Sequence, residues 1–217
     1  MKILAIETSS STLSVAINID GKIVCEYFYN AGLIHSEVLI SVIETALKNV
    51  GLTIKDIDKF AVSSGPGSFT GIRVGMTVVK TLAQSLKKPV VCFNCLDILQ
   101  AAITIPSIKI IPAIDALRDE LYVKTSNGAG IVSIEDFIKK NKKNKNKIIV
   151  IGNAAIIHKK LLQQQLGKLS VCLNEDLCYP KASVLANLAF GKEGVNFLKI
   201  QPLYIRKSWA EEKMKNN

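Results

Sequence analysis

The sequence predicts an α/β protein built as two lobes of related design. Three observations predict it. The first 30 residues read as strands, with a hairpin signal at Asp20-Gly21. From there to about residue 103, helical and strand periodicities alternate. At about one half-length the opening pattern returns: an apolar strand, an acidic residue, a short polar turn and a second strand.

The elements follow in order. "KILAIETS" reads as a buried strand ending at Glu7. "TLSVAINID" alternates, and the Asp20-Gly21 turn passes it to a third strand, "KIVCEYFYN". "HSEVLISVIETALKNVG" is helical: Leu39, Ile43, Ala46, Leu47 and Val50 recur at helical spacing, and Gly51 suits the stop. "DIDKFAVSSG" is a short buried strand. "TGIRVGMTVVKTLAQSLKK" is a second helix, with Pro89 just beyond it. "PVVCFN" is a strand and "CLDILQAAI" a helix. An antiparallel meander followed by right-handed crossovers implies a mixed five-stranded sheet with helices on its faces.

The second half restarts with "IKIIPAIDAL", a strand running to Asp115, and "ELYVKTS". A strand "GAGIVS", a helix near "IEDFIKK" and a strand "KIIVIGN" come next. "AIIHKKLLQQQLG" and "KASVLANLAFGKEG" read as helices, and "QPLYIRKSW" as an extended tail. Residues 1–103 are therefore expected to form the first lobe and 104–192 the second. The tail, about 193–217, is expected to pack back on the first lobe.

Composition narrows the function classes. A chain of 217 residues that is 48% apolar has enough material for a buried core. No apolar run is long enough to span a membrane, and "MKILAIETSS" turns polar too soon for a signal peptide. The expected location is cytoplasmic. The net charge of +10 attracts phosphate, but only Arg73, Arg118 and Arg206 supply the bidentate forks common in nucleic-acid readers. The densest basic run, "KKNKKNKNK" from Lys139 to Lys147, reads as a solvated loop. Five cysteines, an odd number, argue against a disulfide framework. Cys92 and Cys95 have C-x-x-C spacing but lack a second ligand pair for zinc, and Cys172 and Cys178 are wrongly spaced to supply one.

Two segments carry candidate chemistry. "GPGSFTG" contains Gly65, Gly67, Ser68, Thr70 and Gly71 ahead of a helix. It is no P-loop, because no Gly-Lys-Ser/Thr follows. Either its N–H groups hold an anion at the helix start, or its glycines allow close backbone approach at a strand-to-helix corner. The second segment is the hairpin Glu7-Thr8-Ser9, which either clasps phosphates or merely caps turns. His35 and His158 are far apart in sequence and have no acidic partners at ligand spacing, so no metal site is expected.

"ILAIETSSSTLSVAI", "HSEVL", "SSGPGSFTGIRVG" and "PLYIR" together resemble the bacterial TsaB (YeaZ) family over nearly the whole chain. The resemblance implies a duplicated, actin-like ASKHA (ribonuclease H-like) fold of two lobes, the second reduced. It implies a non-catalytic subunit of the machinery that makes N6-threonylcarbamoyladenosine next to the anticodon of tRNAs reading codons that begin with A. The implied partners are TsaD, as a heterodimer, and the ATPase TsaE, with tRNA met only through the complex. A homodimer of the isolated chain is left open. No cofactor of its own is expected; ATP or ADP and a metal belong on the partner subunits.

The residues agree with a quiet subunit. The catalytic relative binds metal through H-x-x-x-H, and here the position four after His35 is Leu39. Where that relative has acidic residues in the first hairpin turn, this chain has Ser11 and Thr12. "IGNAA" has Ala154 where adenosine loops favour a second glycine. Relatives carry an Asp-Ala-Arg turn where this chain reads Asp115-Ala116-Leu117-Arg118. The alternative reading is an enzyme, a small-molecule kinase or an M22-type peptidase, with Glu7 and Asp115 drafted as acids. A third is an RNA-binding module. Apolar residues outside the core stripes of the two helices, Val38 and Val42 with Val74, Met76 and Val78, are expected to face a partner together with His35. The competing expectation is that the tail covers them.

Overall fold

The computed structural model describes residues 1–30, 35–144, 147–167, 170–172 and 174–206. The first sheet is formed by β1 (Lys2–Glu7), β2 (Thr12–Ile19), β3 (Lys22–Asn30), β4 (Lys59–Ser63) and β5 (Val90–Phe93), in the order β3-β2-β1-β4-β5. The meander strands are antiparallel, and β4 and β5 join in parallel. The mixed five-stranded sheet expected from sequence is therefore present.

Alternation along the strands creates two buried faces. Leu4 and Ile6 of β1, Leu13, Val15 and Ile17 of β2, and Phe60 and Val62 of β4 share one core. Onto it pack α1 (His35–Asn49), through Leu39, Ile43, Ala46 and Leu47, and α2 (Phe69–Leu86), through Met76, Val79 and Ala83. Ile3, Ala5, Ala16 and Ala61 face the other way. That face receives α3 (Cys95–Ala101) through Ile98. No helix among the described residues is long and apolar enough to cross a membrane.

The second sheet has the order β8-β7-β6-β9, from β6 (Lys109–Asp115), β7 (Glu120–Thr125), β8 (Gly128–Ser133) and β9 (Ile148–Ile151). The antiparallel β6–β7 pair repeats the relation of β1 to β2, with Asp115 in the place of Glu7. Ser133 caps α4 (Ile134–Lys142) by accepting from Asp136 N. The basic run read as a solvated loop begins in a helix: Lys139, Lys140 and Lys142 form the last turn of α4. Asn141 is buried there, its side chain donating to Phe137 O at 2.8 Å. Residues 145 and 146 of that run lie outside the described residues.

One expected helix divides in two. α5 (Asn153–Ile157) and α6 (Lys159–Leu166) meet at His158, whose backbone leaves helical geometry. The last helix, α7 (Ala182–Ala189), falls within the stretch read as second lobe, yet it lies on the first sheet. Ala182, Leu185, Ala186 and Ala189 are buried against Ile3, Ala5 and Ala16. Polar groups of the first sheet receive both its ends. Ser14 Oγ accepts from Ala182 N and Glu26 Oε1 from Ser183 N, both at 2.9 Å. At the other end the buried Lys59 ammonium donates to Lys192 O at 2.5 Å and Ala189 O at 3.4 Å. A carboxylate at the N-terminus and an ammonium at the C-terminus both complement the helix dipole. None of this shows in the periodicity of the helix itself.

The tail, read as extended, bridges Val195 to Val90 and buries Ile200 in the first core. Leu203 N donates to Ser64 O at 2.8 Å, and the Tyr204 ring stacks on Phe69 at 4.2 Å. Residues 207–217 lie outside the described residues.

The glycine-rich corner seats α2 on the end of β1. A Cβ at Gly71 would land on Thr8 O, and one at Gly67 on Ser9 O, both well inside the 3.0 Å that real Cβ atoms keep. We expect Gly71→Ala to cost about 3 kcal/mol or to prevent folding, as overpacking against unyielding backbone does. Gly128→Ala, at φ +103° in open space, should cost only about 1–2 kcal/mol for its left-handed backbone. Urea denaturation of the two variants checks the contrast, and equal losses would mean the corner tolerates a methyl group.

Candidate functional site

Between the lobes lies a cleft of about 160 Å³. The first lobe lines it with Ser9, Ser10 and Ser11 after β1 and with Pro66, Gly67 and Ser68 of the corner. The second lobe contributes Ile114, Asp115 and Asn153, and Tyr179 and Pro180 close one side. Small-molecule sites usually offer about 300–1,000 Å³. This cleft is about half the lower bound.

Of the residues singled out as an anion loop, Ser9, Gly67 and Ser68 line the cleft, whereas Glu7, Thr8, Gly65, Thr70 and Gly71 do not. Their chemistry is directed inward. Thr8 Oγ1 donates to Gly71 O at 2.7 Å. Ser68 N donates to Ser9 O at 2.7 Å, and Ser68 Oγ caps α2 by accepting from Gly71 N. Gly65 O accepts from Cys95 N at 2.7 Å. Thr70 is exposed on the first turn of α2.

Glu7 is completely buried. Its Oε1 accepts from Ser9 N at 2.6 Å. Burial pushes its carboxyl above the ordinary 4.5, against the opposing pull of hydrogen bonds from Ser9, Ser63 and Cys95. The Cys95 thiol donates to Ser9 Oγ at 2.8 Å, and burial beside Glu7 holds it well above 9. Burial likewise pushes Cys92 up to about 11. A redox C-x-x-C lowers a thiol pKa. Here both thiols move the other way.

The second lobe holds an acid–base pair that spacing did not reveal. Asp115 Oδ1 lies 2.8 Å from His158 Nε2, 43 residues away in sequence. His158 does have an acidic partner, contrary to expectation, because the β6–β9 pairing brings the β9–α5 corner beside the end of β6. Asp115 Oδ2 also accepts from Leu117 N at 3.2 Å. Leu117, Arg118 and Asp119 then take three successive left-handed conformations, with φ of 61°, 55° and 57°. From the tail, Arg206 ties this turn down, donating to Ala116 O at 2.6 Å and pairing with Glu120. Among the described residues, no three His, Cys, Asp or Glu side chains are placed to hold a metal ion.

The residues expected to face a partner divide. His35 is buried, and its Nε2–H points at Ser10 O (2.9 Å) and Thr12 O (3.1 Å). Met76 is 3% exposed inside the first core. Neither is offered to a partner, because both turn toward the sheet. Val38, Val42, Val74 and Val78 are only half-buried. Between α1 and α2 runs a groove lined by Ser36, Leu39, Ile40, Arg73, Val74, Thr77 and Val78. No described tail residue lines it. Instead the tail lies by the start of α2, where Arg73 Nε donates to Tyr204 Oη at 2.9 Å and its guanidinium stands 4.0 Å from the Phe69 ring centroid. Sequence reasoning passed over Ile40, which is 49% exposed. Its signal was available: it is an isoleucine one position after the core residue Leu39.

The geometry can be set against known proteins. Residues 30–192 match the family model described as TsaD, tRNA N6-adenosine threonylcarbamoyltransferase. The chain is 30% identical to the tRNA threonylcarbamoyladenosine biosynthesis protein TsaB of Bacillus subtilis, over 98% of this chain and 97% of that one. The solved structure of YeaZ from Pseudomonas aeruginosa superposes with a TM-score of 0.72 at 22% identity, covering 94% of this chain and 99% of that chain. An activator of 2-hydroxyisocaproyl-CoA dehydratase from Clostridium difficile, solved with bound ADPNP, superposes at 0.52 and 12% identity, covering 100% and 98%. The two-lobed, actin-like fold is the one these neighbours share.

Glu7 yields a pH prediction. A carboxyl whose folded pKa is raised binds more protons folded than unfolded. Stability should therefore fall as pH rises above about 4.5, where the unfolded carboxyl ionises, until the folded one ionises too. Gln at this position can accept from Ser9 N and donate toward Ser63 and Cys95, so Glu7→Gln should flatten that fall. Melting temperatures of both proteins from acid to neutral pH test this; parallel curves would mean the buried carboxyl carries no such strain.

Proposed function

Because the chain belongs to the TsaB family of tRNA threonylcarbamoyladenosine biosynthesis proteins, within the wider TsaD family, we propose that it serves as a non-catalytic subunit that binds and supports TsaD. The observation that carries this reading is the open apolar groove between α1 and α2. Ile40, Val74 and Val78 supply apolar surface there, with the Arg73 cation at one end. Helices of a partner fit such a groove as an added pair, making a four-helix bundle. Ser10 O and Thr12 O take the His35 ring, so the residue in the place of a metal ligand instead fixes the start of α1 to the hairpin.

The chemistry then belongs to TsaD, with its metal and nucleotide, and TsaE is the third component. Such a complex works on tRNA in the cytoplasm. The enzyme reading has less support. A kinase needs room for a nucleotide and a carboxylate open to Mg²⁺. The cleft measures about 160 Å³, Glu7 is sealed, and Asp115 is engaged by Leu117 N and His158.

Two outcomes follow. Val74→Glu with Val78→Lys should leave a folded chain that no longer captures TsaD, since taking two charged side chains out of water at a packed apolar interface costs several kcal/mol even when they pair. Ile40→Asp should weaken capture as well, and its exposure makes it the safer variant for folding. Normal capture by both variants would put the interface elsewhere. Separately, the purified chain should form no threonylcarbamoyladenosine on tRNA unless TsaD is added. Mass spectrometry of tRNA nucleosides reads this directly, and modification by the chain alone would overturn the non-catalytic reading.

A further inference from the structure

Lysines from three elements converge at one end of the second lobe. Lys139, Lys140 and Lys142 form the last turn of α4, and Lys143 is its C-cap. Lys109 opens β6, and Lys147 directly precedes β9. Because β6 and β9 run parallel, with Lys109 opposite Ile148, their starting ends lie side by side. Lys109 N donates to Lys147 O at 2.9 Å. The side chains border two adjoining grooves: Lys109 and Lys140 line one, Lys142 and Lys147 the other, and Asn141 lines both.

Lys139 and Lys142 also border a third groove that holds Asp119, Glu120 and Glu135, so the charge left unanswered is that of Lys109, Lys140, Lys143 and Lys147. All six lysines are exposed, and none pairs with a carboxylate among the described residues. Asp136 is the one acidic residue lining either of the two adjoining grooves among the described residues, and its carboxylate already accepts from Ser133 Oγ. Lys142 donates to the neutral Gln165 Oε1 at 2.6 Å. Nearby Lys124 is different: it is held by Asp97 at 2.5 Å. The dipole of α4 accounts for lysines in its last turn. It does not account for Lys109 and Lys147, which stand at the starts of strands.

We propose that this basic end binds the phosphate backbone of tRNA. Like charges held together without a counter-charge favour an external polyanion. Ammonium groups act as point charges on phosphate, so the contact should position RNA without reading its sequence. The proposal rests on the tRNA-modification reading above and assigns this chain a direct contact in addition to its support of TsaD.

The test uses the isolated chain and a labelled tRNA transcript, with anisotropy titrations between about 50 and 200 mM KCl. The parent should bind with an affinity that falls steeply with salt. In one variant Lys109, Lys140, Lys143 and Lys147 become Ser. In a control, Lys22, Lys48, Lys55 and Lys199, all exposed and on the first-lobe side, become Ser. Both lose four charges, taking the net charge from +10 to +6. The first should lose about 3 from the slope of log affinity against log salt, at about 0.7–0.9 per phosphate contact, while the control keeps most of it. Should the fourfold variant unfold, Lys140→Ser with Lys147→Ser carries the same comparison at about half the change. No salt-dependent binding by the parent, or equal losses in both variants, would overturn the proposal. Capture of TsaD reads the partner proposal independently, because Val74→Glu with Val78→Lys should leave tRNA binding by the isolated chain unchanged.

Discussion

The first lobe depends on one close approach of backbone to backbone, where the end of β1 meets the start of α2. Thr8 O and Ser9 O occupy the space where side chains at Gly71 and Gly67 would stand. Ser68 N bonds to Ser9 O across the junction, and Thr8 Oγ1 returns a bond to Gly71 O. Buried backbone groups must find partners, and here strand and helix satisfy each other. The junction fixes how α2 crosses the sheet. It therefore fixes which residues of α2 turn into the core and which face the groove beside α1. Two N–H donors of the corner are already engaged, Ser68 N by Ser9 O and Gly71 N by Ser68 Oγ, which leaves fewer for an anion.

The second consequence concerns the lobes. The chain returns to the first sheet after finishing the second, first through α7 and then through the tail. Glu26, Ser14 and Lys59 receive the ends of α7. Arg206 then spans back to Ala116 and Glu120 at the left-handed turn after β6. The lobes are thus crossed twice by the chain and held by charge-assisted bonds, which are the stronger kind. The cleft between them remains narrow.

Burial governs the acidic end of the first strand. Glu7, at the end of the first strand, would be the natural carboxylate of a phosphate clasp. Enclosed with Ser9, Ser63 and Cys95, it is desolvated, and burial raises its carboxyl above the ordinary range against the pull of their hydrogen bonds. Asp115, its counterpart in the second lobe, retains His158 and Leu117 N as partners. At each duplicated strand end the acidic side chain bonds to groups of its own lobe. The exposed resources of the molecule are surfaces: an apolar groove on one lobe and a lysine-rich end on the other.

Much of this was legible in the sequence, because periodicity reports burial directly. The five strands of the first sheet, α1 and α2 and the repeated strand–acid–turn all follow from local patterns: apolar runs for strands buried on both faces, and an apolar stripe for helices buried on one. The family resemblance rested on the corner for a physical reason: few sequences can satisfy so tight a junction. What local pattern could not give was any choice among partners distant in sequence. Met76 and Val78 are both apolar residues of one helix, and only the crossing of α2 over the sheet buries the first and leaves the second half-open. The pairing of His158 with Asp115 depends on β9 joining β6, and the placement of α7 on three polar groups of the other lobe. Sequence determined which segments had to be buried; tertiary structure decided against what, because burial is a property of a residue and its neighbours together.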